Sequence, residues 1–547
     1  MSYLDIFILV LGGKAMRRLG LALGFLLLAG ALAQGLSPGE KEQAAQIYFD
    51  RCAGCHGVLR KGATGPALDP KKMAERGLEY LKAVIFGGLP GGMPDWGRQG
   101  ILSEKETELM ARFLLEEPPA PPIPTYEEIR RTWKVYVPPE KRPTKPEHTR
   151  NWQNFFGQVL RDTGQVAIID GDKKELVTIV PTGFATHILR SSATGRYFMA
   201  IGRDGKASLI DLWMNPPRVV AESKPCVDAR SIESSKFKGY EDKYAVVGCY
   251  WPPTMVILDG LTLEPLKMVS TMSYTKGAGE FVQEARVAAI VASQFNPEWI
   301  VNLKESGQTW LVDYSKLNQK GRPLPITMID TERFLHDGGW ALKRYFIVAA
   351  NAVNKLIVID TKTREFVAEV EAGVRPHPGR GSNWTHPTYG PVWATGNIGS
   401  PEVTVVGVDP EKHPQHAWKV IKRIQLPYTG NLFIKTHPNS PWVIVDFPMS
   451  PSPEAAASLC AIDKRKLEVA KCWEVPGAQD LKARMVHPEF NKGGTEIWVS
   501  AWGSKDTPTF IVVYDALTLK EKARITGDWV RTPTGKFNVY NTAYDIY

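Results

Sequence analysis

The strand-rich part of the chain begins at Trp152 and continues to the C terminus. Short hydrophobic runs rich in Val, Ile, Tyr and Trp alternate there with turns rich in Gly, Pro, Asn and Asp. Helical periodicity is almost absent, and apolar runs bounded by turn residues are typical of β-strands. Residues 151–547 are therefore predicted to form a nearly all-β domain.

One pattern recurs eight times in this region: an apolar run that ends in Asp, with a turn behind it. The aspartates are separated by 41, 48, 54, 47, 49, 54 and 52 residues, and they are Asp170, Asp211, Asp259, Asp313, Asp360, Asp409, Asp463 and Asp515. A period near fifty in an all-β chain predicts one four-stranded blade per repeat, hence an eight-bladed β-propeller. Each Asp is expected to begin the turn to the next strand, because its carboxylate can accept hydrogen bonds from backbone amides two residues on. An array of β-sandwiches would need separate cores and linkers, which the sequence does not show.

The region before the strands has a different pattern, which predicts helices. Ser37-Pro38 forms a helix N terminus, and Ser103 with Glu106 forms a capping box ahead of the apolar segment Leu109 to Leu115. We therefore expect a small all-α domain at residues 34–117.

Residues 118–150 join the two parts and form a proline-rich linker. Nine prolines lie between Pro118 and Pro146, among Glu, Lys and Thr residues. This composition predicts a stiff, extended connector rather than a core element. The expected fold is thus a two-domain chain, with a small all-α domain followed by an all-β eight-bladed propeller.

The extreme N terminus has the pattern of a secretory signal peptide at residues 16–33. Two arginines follow Met16, an apolar run of 15 residues extends from Leu19 to Ala33, and the small-residue site predicts cleavage near Ala33/Gln34. Residues 1–15 then form an upstream extension from a misassigned start codon. An uncleaved membrane anchor is the alternative, but a span usually needs about 20 apolar residues. Export is favoured, which predicts a periplasmic mature chain with no stable membrane insertion.

The charge of the chain argues against nucleic acid as a partner. The 547 residues carry a formal net charge of +9, which falls to +7 when residues 1–33 are removed. Lysines and arginines are spread along the chain with matching acids, and no basic arm or stripe is present in the sequence. The mild positive field would instead help to attract an anionic substrate or an acidic electron donor.

The most specific motif of the chain is Cys52-Ala-Gly-Cys55-His56. Cys-x-x-Cys-His is the attachment signature of haem c, in which both thiols form thioethers and the histidine ligates iron. A thioredoxin-like redox pair or half of a zinc site would also contain Cys-x-x-Cys, but neither explains His56. The motif therefore predicts a covalent haem c.

Met93 is the expected sixth ligand of this haem. It lies 37 residues after His56, in the loop Gly91-Gly-Met-Pro94. A thioether opposite an imidazole raises the reduction potential relative to two nitrogen ligands. The first domain is therefore predicted to relay electrons rather than to bind a substrate.

Three of the ten histidines are candidates for chemistry in the propeller. His336 and His377 each lie in a loop rich in Gly or Pro, which holds a side chain firmly while a ligand approaches the backbone. From the residues alone, acid/base and metal-binding roles are both open for this pair. His187 lies in an apolar segment, where a satisfied core histidine is the commoner outcome. The histidines beside or near prolines are expected in exposed turns, and these are His386, His413, His416 and His437.

Several long blocks resemble the cytochrome cd1 nitrite reductase family over the whole mature chain. They are Ala229 to Tyr244, Tyr250 to Pro253, Phe334 to Gly339, Pro376 to Gly381 and Thr532 to Thr542. The resemblance implies a homodimer with a haem c domain that accepts electrons and a propeller that binds haem d1 non-covalently. It also implies reduction of nitrite to nitric oxide, with a small periplasmic c-type cytochrome or cupredoxin as the electron donor.

The resemblance further implies roles for individual residues. His187 corresponds to the proximal ligand of the d1 iron, and His336 and His377 correspond to the distal pair, suited to holding an anion and delivering protons. The residues that match contacts to the d1 macrocycle or its carboxylates are Arg161, Arg190, Arg203, Arg230, Tyr250, Arg380 and Thr534. Guanidinium groups suit such carboxylates because they bind them bidentately. A surface salt bridge is the alternative for any one of these arginines.

Two positions depart from the family pattern, which commonly has glutamine where this chain has His487 and arginine where it has Met272. The departures leave the detailed d1 contacts open, and His487 is kept as a cofactor-binding position. Some family members place a tyrosine from an N-terminal arm next to d1. The segment before the haem motif is short here and Tyr48 falls in the first helix, so no tyrosine ligand is expected.

Two other functions share part of this pattern. A haem d1 biogenesis dehydrogenase has the same two-domain plan, and the presence of both His336 and His377 argues for the reductase instead. A non-catalytic propeller used for binding or electron transfer would leave the arginines and the rigid histidine loops unexplained.

Four cysteines remain after haem attachment. Cys460 and Cys472 flank a tight turn and could pair across adjacent strands of an oxidised protein. Cys226 with Cys249 is the less favoured pair. Both pairings stay open at the level of the sequence.

Overall fold

A computed structural model of the chain describes residues 35–62, 65–89, 93–98, 100–275, 277, 279–318 and 323–547. The predicted upstream extension and signal peptide lie outside the described residues, as do Gly91 and Gly92 of the Met93 loop. Within the described ranges, no helix has both the length and the apolar character that a membrane crossing requires.

The N-terminal domain is helical, as predicted. The α-helices of the described chain are Pro38–Ile47, Ala53–His56, Pro70–Arg76, Leu78–Gly87, Glu104–Phe113, Tyr126–Arg131, Pro453–Ala456 and Val539–Ala543. Ser37 with Glu40, and Ser103 with Glu106, form complete capping boxes, so both predicted helix starts are confirmed. The first helix continues from Ile47 into a π-helical turn, Tyr48–Cys52, which leads into the haem motif.

Eight antiparallel blades follow, seven with four strands and one with a fifth strand added, which confirms the predicted propeller for the described residues. Numbered around the ring, with the innermost strand first, they are blade 1, Pro533–Asn538, Phe155–Leu160, Gln165–Asp170 and Glu175–Pro181; blade 2, Ile188–Ser191, Tyr197–Ile201, Ala207–Asp211 and Arg218–Ser223; blade 3, Asp228–Ser234, Tyr244–Trp251, Thr254–Asp259 and Pro265–Ser270; blade 4, Val287–Ala292, Glu298–Leu303, Gln308–Asp313 and Ile326–Asp330; blade 5, Leu335–Ala341, Tyr345–Ala350, Lys355–Asp360 and Glu365–Glu371; blade 6, Ser382–His386, Gly390–Gly396, Glu402–Gly407 and Val420–Gln425; blade 7, Ile434–Thr436, Trp442–Asp446, Ser458–Asp463 and Glu468–Glu474; and blade 8, Arg484–Phe490, Glu496–Trp502, Ile511–Asp515 and Glu521–Ile525. Blade 1 closes the ring because its innermost strand comes from the C terminus and pairs with Phe155–Leu160. A separate two-stranded sheet pairs Ser273–Tyr274 with Phe281–Val282.

The repeated aspartates do what their positions predict. Seven of the eight end the third strand of a blade, and Asp409 lies two residues past the end of its strand at Gly407. Each carboxylate accepts a hydrogen bond from the backbone amide two residues on, for example Asp259 from Leu261 at 3.0 Å and Asp515 from Leu517 at 3.1 Å. The same contact occurs at the other six aspartates. The sequence repeat is therefore a repeat of turns.

The connector is less extended than its prolines predict. Residues Tyr126–Arg131 form a short helix, and Lys134–Val135 adds a fifth strand to the outer edge of blade 2. Ile129 of this helix is buried. The Trp133 indole donates a hydrogen bond to the Thr262 carbonyl of the propeller at 2.8 Å. The prediction of a purely extended linker was wrong here, because a capping box at Thr125 and apolar residues between the prolines allow a docked helix.

Buried polar contacts join the two domains near the haem motif. Arg51, which precedes Cys52, lies 2.5 Å from the Asp162 carboxylate of the propeller. The Glu284 carboxylate accepts hydrogen bonds from the Val58 and Leu59 amides, at 2.5 and 3.2 Å. Trp251 packs into the core of the helical domain. These contacts hold the haem attachment segment directly against the propeller.

Both remaining cysteine pairs form disulfides. Cys460 and Cys472 are cross-strand partners in blade 7, with Cα atoms 4.1 Å apart. Cys226 and Cys249 also pair, with Cα atoms 5.6 Å apart. The less favoured pair is therefore present as well.

Candidate active site

His56 is held in the orientation that an iron ligand needs. Its Nδ1 lies 2.8 Å from the Pro66 carbonyl oxygen, which fixes Nδ1 as the donor and leaves Nε2 unprotonated for a metal. Burial lowers the pKa of this imidazole, so the ring is neutral at neutral pH. Cys52 and Cys55 are not paired in a disulfide, which leaves both thiols for thioether bonds.

Met93 lies at the edge of the same domain core. Its side chain packs against the buried cluster that includes Tyr48, Trp96 and Leu102. The Tyr48 hydroxyl donates to the Gly57 carbonyl at 2.6 Å, so this tyrosine belongs to the cytochrome core. Met93 as the sixth ligand stays a prediction.

A large cavity lies at the centre of the propeller, with an empty volume of about 1430 Å³, part of it open to solvent. Innermost strands or the loops beside them contribute its walls. Nine of the predicted propeller site residues line it, namely Arg161, His187, Arg190, Arg230, Tyr250, His336, His377, Arg380 and Thr534, together with the departing residue His487. Met272 is not part of the lining.

The cavity wall is strongly cationic. Arg230 makes no ion pair or hydrogen bond with another described residue, so its charge is open to a ligand. Arg190 and Arg380 approach the same buried carboxylate, Glu233, only at 3.9 and 3.8 Å. Burial lowers the pKa of Arg161 to about 10, although Asp162 lies 2.7 Å from its guanidinium. Such an excess of guanidinium groups favours an anion with several carboxylates.

Arg203 differs from the other arginines because it does not line the cavity. Its guanidinium binds the Asp228 carboxylate bidentately, at 2.6 and 2.7 Å, and lies 5.6 Å from the centre of the Tyr250 ring. Arg203 thus contacts a residue of the cavity wall without lining the cavity itself. Its role as a cofactor-binding residue stays a prediction.

Lys304 is a fully buried cation beside this wall, and sequence reasoning missed it. Its ammonium nitrogen has no hydrogen-bond partner among the described residues. It lies 5.7 Å from the centre of the Tyr250 ring, and burial lowers its pKa. An unpaired buried ammonium is costly unless an anion approaches it.

His187 precedes the innermost strand of blade 2. Its backbone amide donates to the Ile201 carbonyl at 2.9 Å, which anchors the residue at the cavity wall. Burial and the neighbouring arginines Arg230 and Arg203 lower the pKa of the imidazole well below its ordinary value. A neutral imidazole facing the cavity is the form that binds iron.

His336 and His377 lie on blade 5 and at the start of blade 6, on the far side of the ring from His187. Their ring centres are 5.1 Å apart, and Asp337 lies between them. His336 Nδ1 is 3.0 Å from Asp337 Oδ1, and His377 Nε2 is 2.9 Å from Asp337 Oδ2. One ligand atom from each residue lies within 4.8 Å of the others, but the surrounding guanidinium groups repel a cation. The acid/base role therefore fits this trio better than metal binding.

His487 takes a constrained position next to Phe433 and Phe537. Its backbone has φ of +57°, in the left-handed region, and its amide donates to Asp446 Oδ2 at 2.8 Å. The Lys536 ammonium donates to the His487 carbonyl at 2.5 Å, and the Lys536 amide donates to His487 Nδ1 at 3.3 Å. Nε2 therefore carries the proton and is the donor that the ring offers to the cavity.

Two of the histidines expected in exposed turns are buried. His386 Nε2 lies 2.9 Å from the Arg465 carbonyl, and His437 Nδ1 accepts a hydrogen bond from the Asn439 amide at 3.1 Å. That expectation was wrong for this pair, because both imidazoles bond backbone groups of neighbouring turns. His413 and His416 are partly exposed.

The C terminus supplies another wall residue that the sequence did not reveal. Tyr547 lines the cavity, and its hydroxyl donates to the Asp545 carboxylate at 2.5 Å. Tyr547 carries no motif of its own. Only the closure of the ring brings it to the site.

These features define a class: a c-type haem attachment domain docked on a propeller whose central cavity suits an anionic ligand. Residues 150–542 match the family described as Cytochrome D1 heme domain, and residues 39–114 match Cytochrome C oxidase, cbb3-type, subunit III. A nitrite reductase of Stutzerimonas stutzeri is 46% identical, over 96% of this chain and 98% of that protein. The chain belongs to the cytochrome cd1 nitrite reductase family.

A second group of relatives is more distant. A dihydro-heme d1 dehydrogenase of Pseudomonas aeruginosa is 29% identical, over 96% of this chain and 98% of that protein. The solved structure of a dihydro-heme d1 dehydrogenase in complex with DHE has a TM-score of 0.68 at 27% identity, and the match covers 91% of this chain and 99% of that one. The two-domain fold is therefore shared with proteins of both names.

The cofactors of the family are haem c and haem d1, as the sequence predicts. The residues of this chain fit both. The apolar wall of Ile188, Ile290 and Val486 suits a macrocycle, and the guanidinium of Arg230 in the same lining suits its carboxylates. In the helical domain, the unpaired thiols and the oriented His56 suit covalent haem c.

Proposed function

We propose that this chain is the nitrite reductase of a denitrifying respiratory chain and converts nitrite to nitric oxide in the periplasm. The observation that carries the proposal is the cationic propeller cavity in which His336 and His377 face one another across a carboxylate. The 46% identity to a nitrite reductase, against 29% to a dihydro-heme d1 dehydrogenase, favours the reductase over the biogenesis enzyme.

The proposed cofactor ligands lie in the haem motif, in the Met93 loop and at the wall of the propeller cavity. Cys52 and Cys55 would bind haem c covalently, with His56 and Met93 as its axial ligands, and His187 would bind the d1 iron. When bound, haem c relays electrons and haem d1 supplies the iron at which nitrite takes up one electron. The opposite blades that carry His187 and the His336–His377 pair allow residues to reach a bound group from two sides.

Binding of d1 would rest on the cationic wall. Arg161, Arg190, Arg230 and Arg380 line the cavity and would contact the carboxylates of d1, and Arg203 would support them beside Tyr250. Thr534 and the protonated Nε2 of His487 add neutral donors at the blade 8 and blade 1 side. Charge-assisted hydrogen bonds of this kind are stronger than neutral ones.

The reaction requires protons at the distal pair. Nitrite takes up one electron and two protons, one N–O bond breaks, and the products are nitric oxide and water. His336 and His377 hold protons beside the anion, and the cationic wall offsets the negative charge of nitrite. The electron comes from a small periplasmic donor protein, a c-type cytochrome or a cupredoxin, through the helical domain.

Export, domain division and assembly complete the proposal. Residues 16–33 direct the chain to the periplasm after an upstream extension at 1–15, residues 34–117 carry haem c, residues 118–150 connect, and residues 151–547 bind haem d1. The mature protein is a homodimer without membrane insertion. The charge pattern and the Cys-x-x-Cys-His motif support export.

Alanine variants of the three propeller histidines test the function. His336→Ala and His377→Ala should retain d1 and reduction by haem c, yet slow nitrite turnover by about 10² or more, the range expected when a positioned acid is lost. His187→Ala should alter the d1 absorption spectrum directly. His413→Ala is the control, because His413 pairs with Asp409 far along blade 6 and lies outside the cavity. Full nitrite turnover in both distal variants, at equal d1 occupancy, would refute the proposed mechanism.

A further inference from the structure

Asp337 lies between the two distal histidines and is within ion-pair distance of both, although His336 Nδ1 makes no hydrogen bond with the described residues in this arrangement. One carboxylate oxygen lies 3.0 Å from His336 Nδ1 and the other lies 2.9 Å from His377 Nε2. The blade aspartates bond backbone amides, whereas the Asp337 carboxylate bonds no backbone amide of the described chain. A turn-forming role therefore does not account for this residue.

The surroundings of His377 determine its protonation. Nδ1 lies 2.6 Å from the Leu432 carbonyl oxygen, and Nε2 faces the Asp337 carboxylate. A carbonyl and a carboxylate only accept hydrogen bonds, so both ring nitrogens carry hydrogen and the ring is an imidazolium. The Leu432 amide in turn donates to Asp446 Oδ1 at 3.0 Å, which fixes the turn that holds the ring.

His336 has the opposite character. Burial lowers its pKa to about 3, and Lys304 and His377 add repulsion, whereas burial is outweighed for His377 by Asp337 and Leu432, which raise its pKa. The other charged groups that face the trio are Arg230 and Asp446, and Arg380 lies on the same segment as His377. His377 therefore carries hydrogen on both ring nitrogens and is charged, whereas His336 carries hydrogen on only one of them and is neutral.

We propose that Asp337 is a positioning residue that clamps the two histidines together and makes His377 the charged proton donor to nitrite, with His336 as the neutral partner. This inference rests on the proposed function. The ion pair between Asp337 and His377 fixes both the rotamer and the proton of the His377 ring, and the shared carboxylate limits the freedom of either ring to turn away. The acid is then in place before the substrate arrives.

The test is Asp337→Asn in the full-length protein, which keeps the size of the side chain and removes its charge. With ¹³C-labelled histidine, the ten imidazoles of the chain can be titrated by NMR before haem d1 is added. Loss of a carboxylate at this distance should lower the pKa of His377 by about one unit or more. The pH above which nitrite reduction fails should then fall by the same amount, because activity requires the protonated form.

Two further variants keep the result interpretable. Asp337→Glu restores the charge and should restore the titration of His377, with turnover still reduced because the longer arm displaces the rings. Asp409→Asn is the matched control, since Asp409 Oδ2 lies 3.0 Å from His413 Nδ1 outside the cavity and its loss should leave the nitrite profile unchanged.

Several outcomes would overturn the inference. An unchanged His377 titration in Asp337→Asn would show that the carboxylate does not hold the proton. Tighter nitrite binding with an unaltered pH profile would show that Asp337 merely repels the substrate. If the His377 titration shifts in Asp337→Asn but the wild-type protein does not reduce nitrite, the positioning role of Asp337 stands and the proposed function is refuted.

Discussion

Replacement of Lys304 by Met is expected to stabilise the propeller when haem d1 is absent. Lys304 is fully buried, and its ammonium nitrogen has no hydrogen-bond partner among the described residues. Leaving a buried polar group unsatisfied costs about 1–3 kcal/mol, and more for a charge. The cation–π interaction with the Tyr250 ring, whose centre is 5.7 Å away, offsets about 0.5–2 kcal/mol of this cost. Met has nearly the same length and no charge, so the expected gain is about 1–2 kcal/mol.

The assay is thermal unfolding of the full-length, haem c-loaded protein. An unfolding entropy of about 2.1 cal/mol/K per residue, over the propeller residues 150–542, gives about 0.8 kcal/mol/K. The expected gain therefore raises the propeller Tm by about 1–3 °C. The pH dependence has a definite sign, since burial lowers the pKa of Lys304 in the folded state. The free-energy penalty for burying the charged ammonium is complete below the folded-state pKa. It disappears as the pH rises towards the ordinary lysine pKa of about 10.4, so the stabilisation by Met should shrink over the same range.

Lys435→Met is the matched control. Lys435 also lies at the cavity and 4.8 Å from the centre of an aromatic ring, that of Tyr547, but its ammonium is 3.1 Å from the Glu489 carboxylate. Its removal leaves a buried carboxylate unpaired and should lower the Tm. A lower Tm for Lys304→Met in the d1-free protein would refute the reasoning.

Three other predictions follow from the contacts described above. Met93→Ala should leave haem c attached through Cys52, Cys55 and His56 but lower its reduction potential, and a redox titration with an unchanged potential would exclude Met93 as the ligand. Asp162→Asn removes the carboxylate shared by Arg51 and Arg161, at 2.5 and 2.7 Å, and should slow electron transfer between the haems in stopped-flow traces. Asp95→Asn, at the more exposed pair with Arg484, should have a smaller effect, and equal rates in both variants would contradict this assignment. Thiol titration of the unfolded, unreduced protein should find none of the four propeller thiols free, and Cys460→Ser should destabilise the chain by about 3 kcal/mol from its 12-residue separation.

The architecture could be predicted from the sequence because the repeat is local. Each blade ends its third strand near an Asp that caps its own turn, so the period is visible without knowledge of any distant contact. The helix caps at Ser37 and Ser103 are local signals of the same kind. Each needs only a few neighbouring residues to form.

The site could be predicted only in part, because its geometry depends on residues far apart in the chain. His336 and His377 were recognisable from their loops, but Asp337 became their common partner only where blades 5 and 6 meet. Arg203 has the same residue type as the wall arginines, yet its guanidinium binds Asp228 and the residue does not line the cavity. No pattern in the sequence indicates that the Lys304 ammonium lacks a hydrogen-bond partner among the described residues, because tertiary packing decides which groups surround a lysine.

The closure of blade 1 sets the order in which the protein can mature. The innermost strand of this blade, Pro533–Asn538, comes after all the other described strands of the ring in the chain; it supplies Thr534, and Tyr547 follows it. Haem c attachment needs only the first helical domain, whereas the cavity lacks one wall until the C terminus has joined the N-terminal strand of the ring. Synthesis proceeds from the N terminus, so the electron-relaying centre can be assembled on a nascent chain. The propeller cavity therefore lacks one wall for its cofactor until the strand Pro533–Asn538 has been made and has joined the ring.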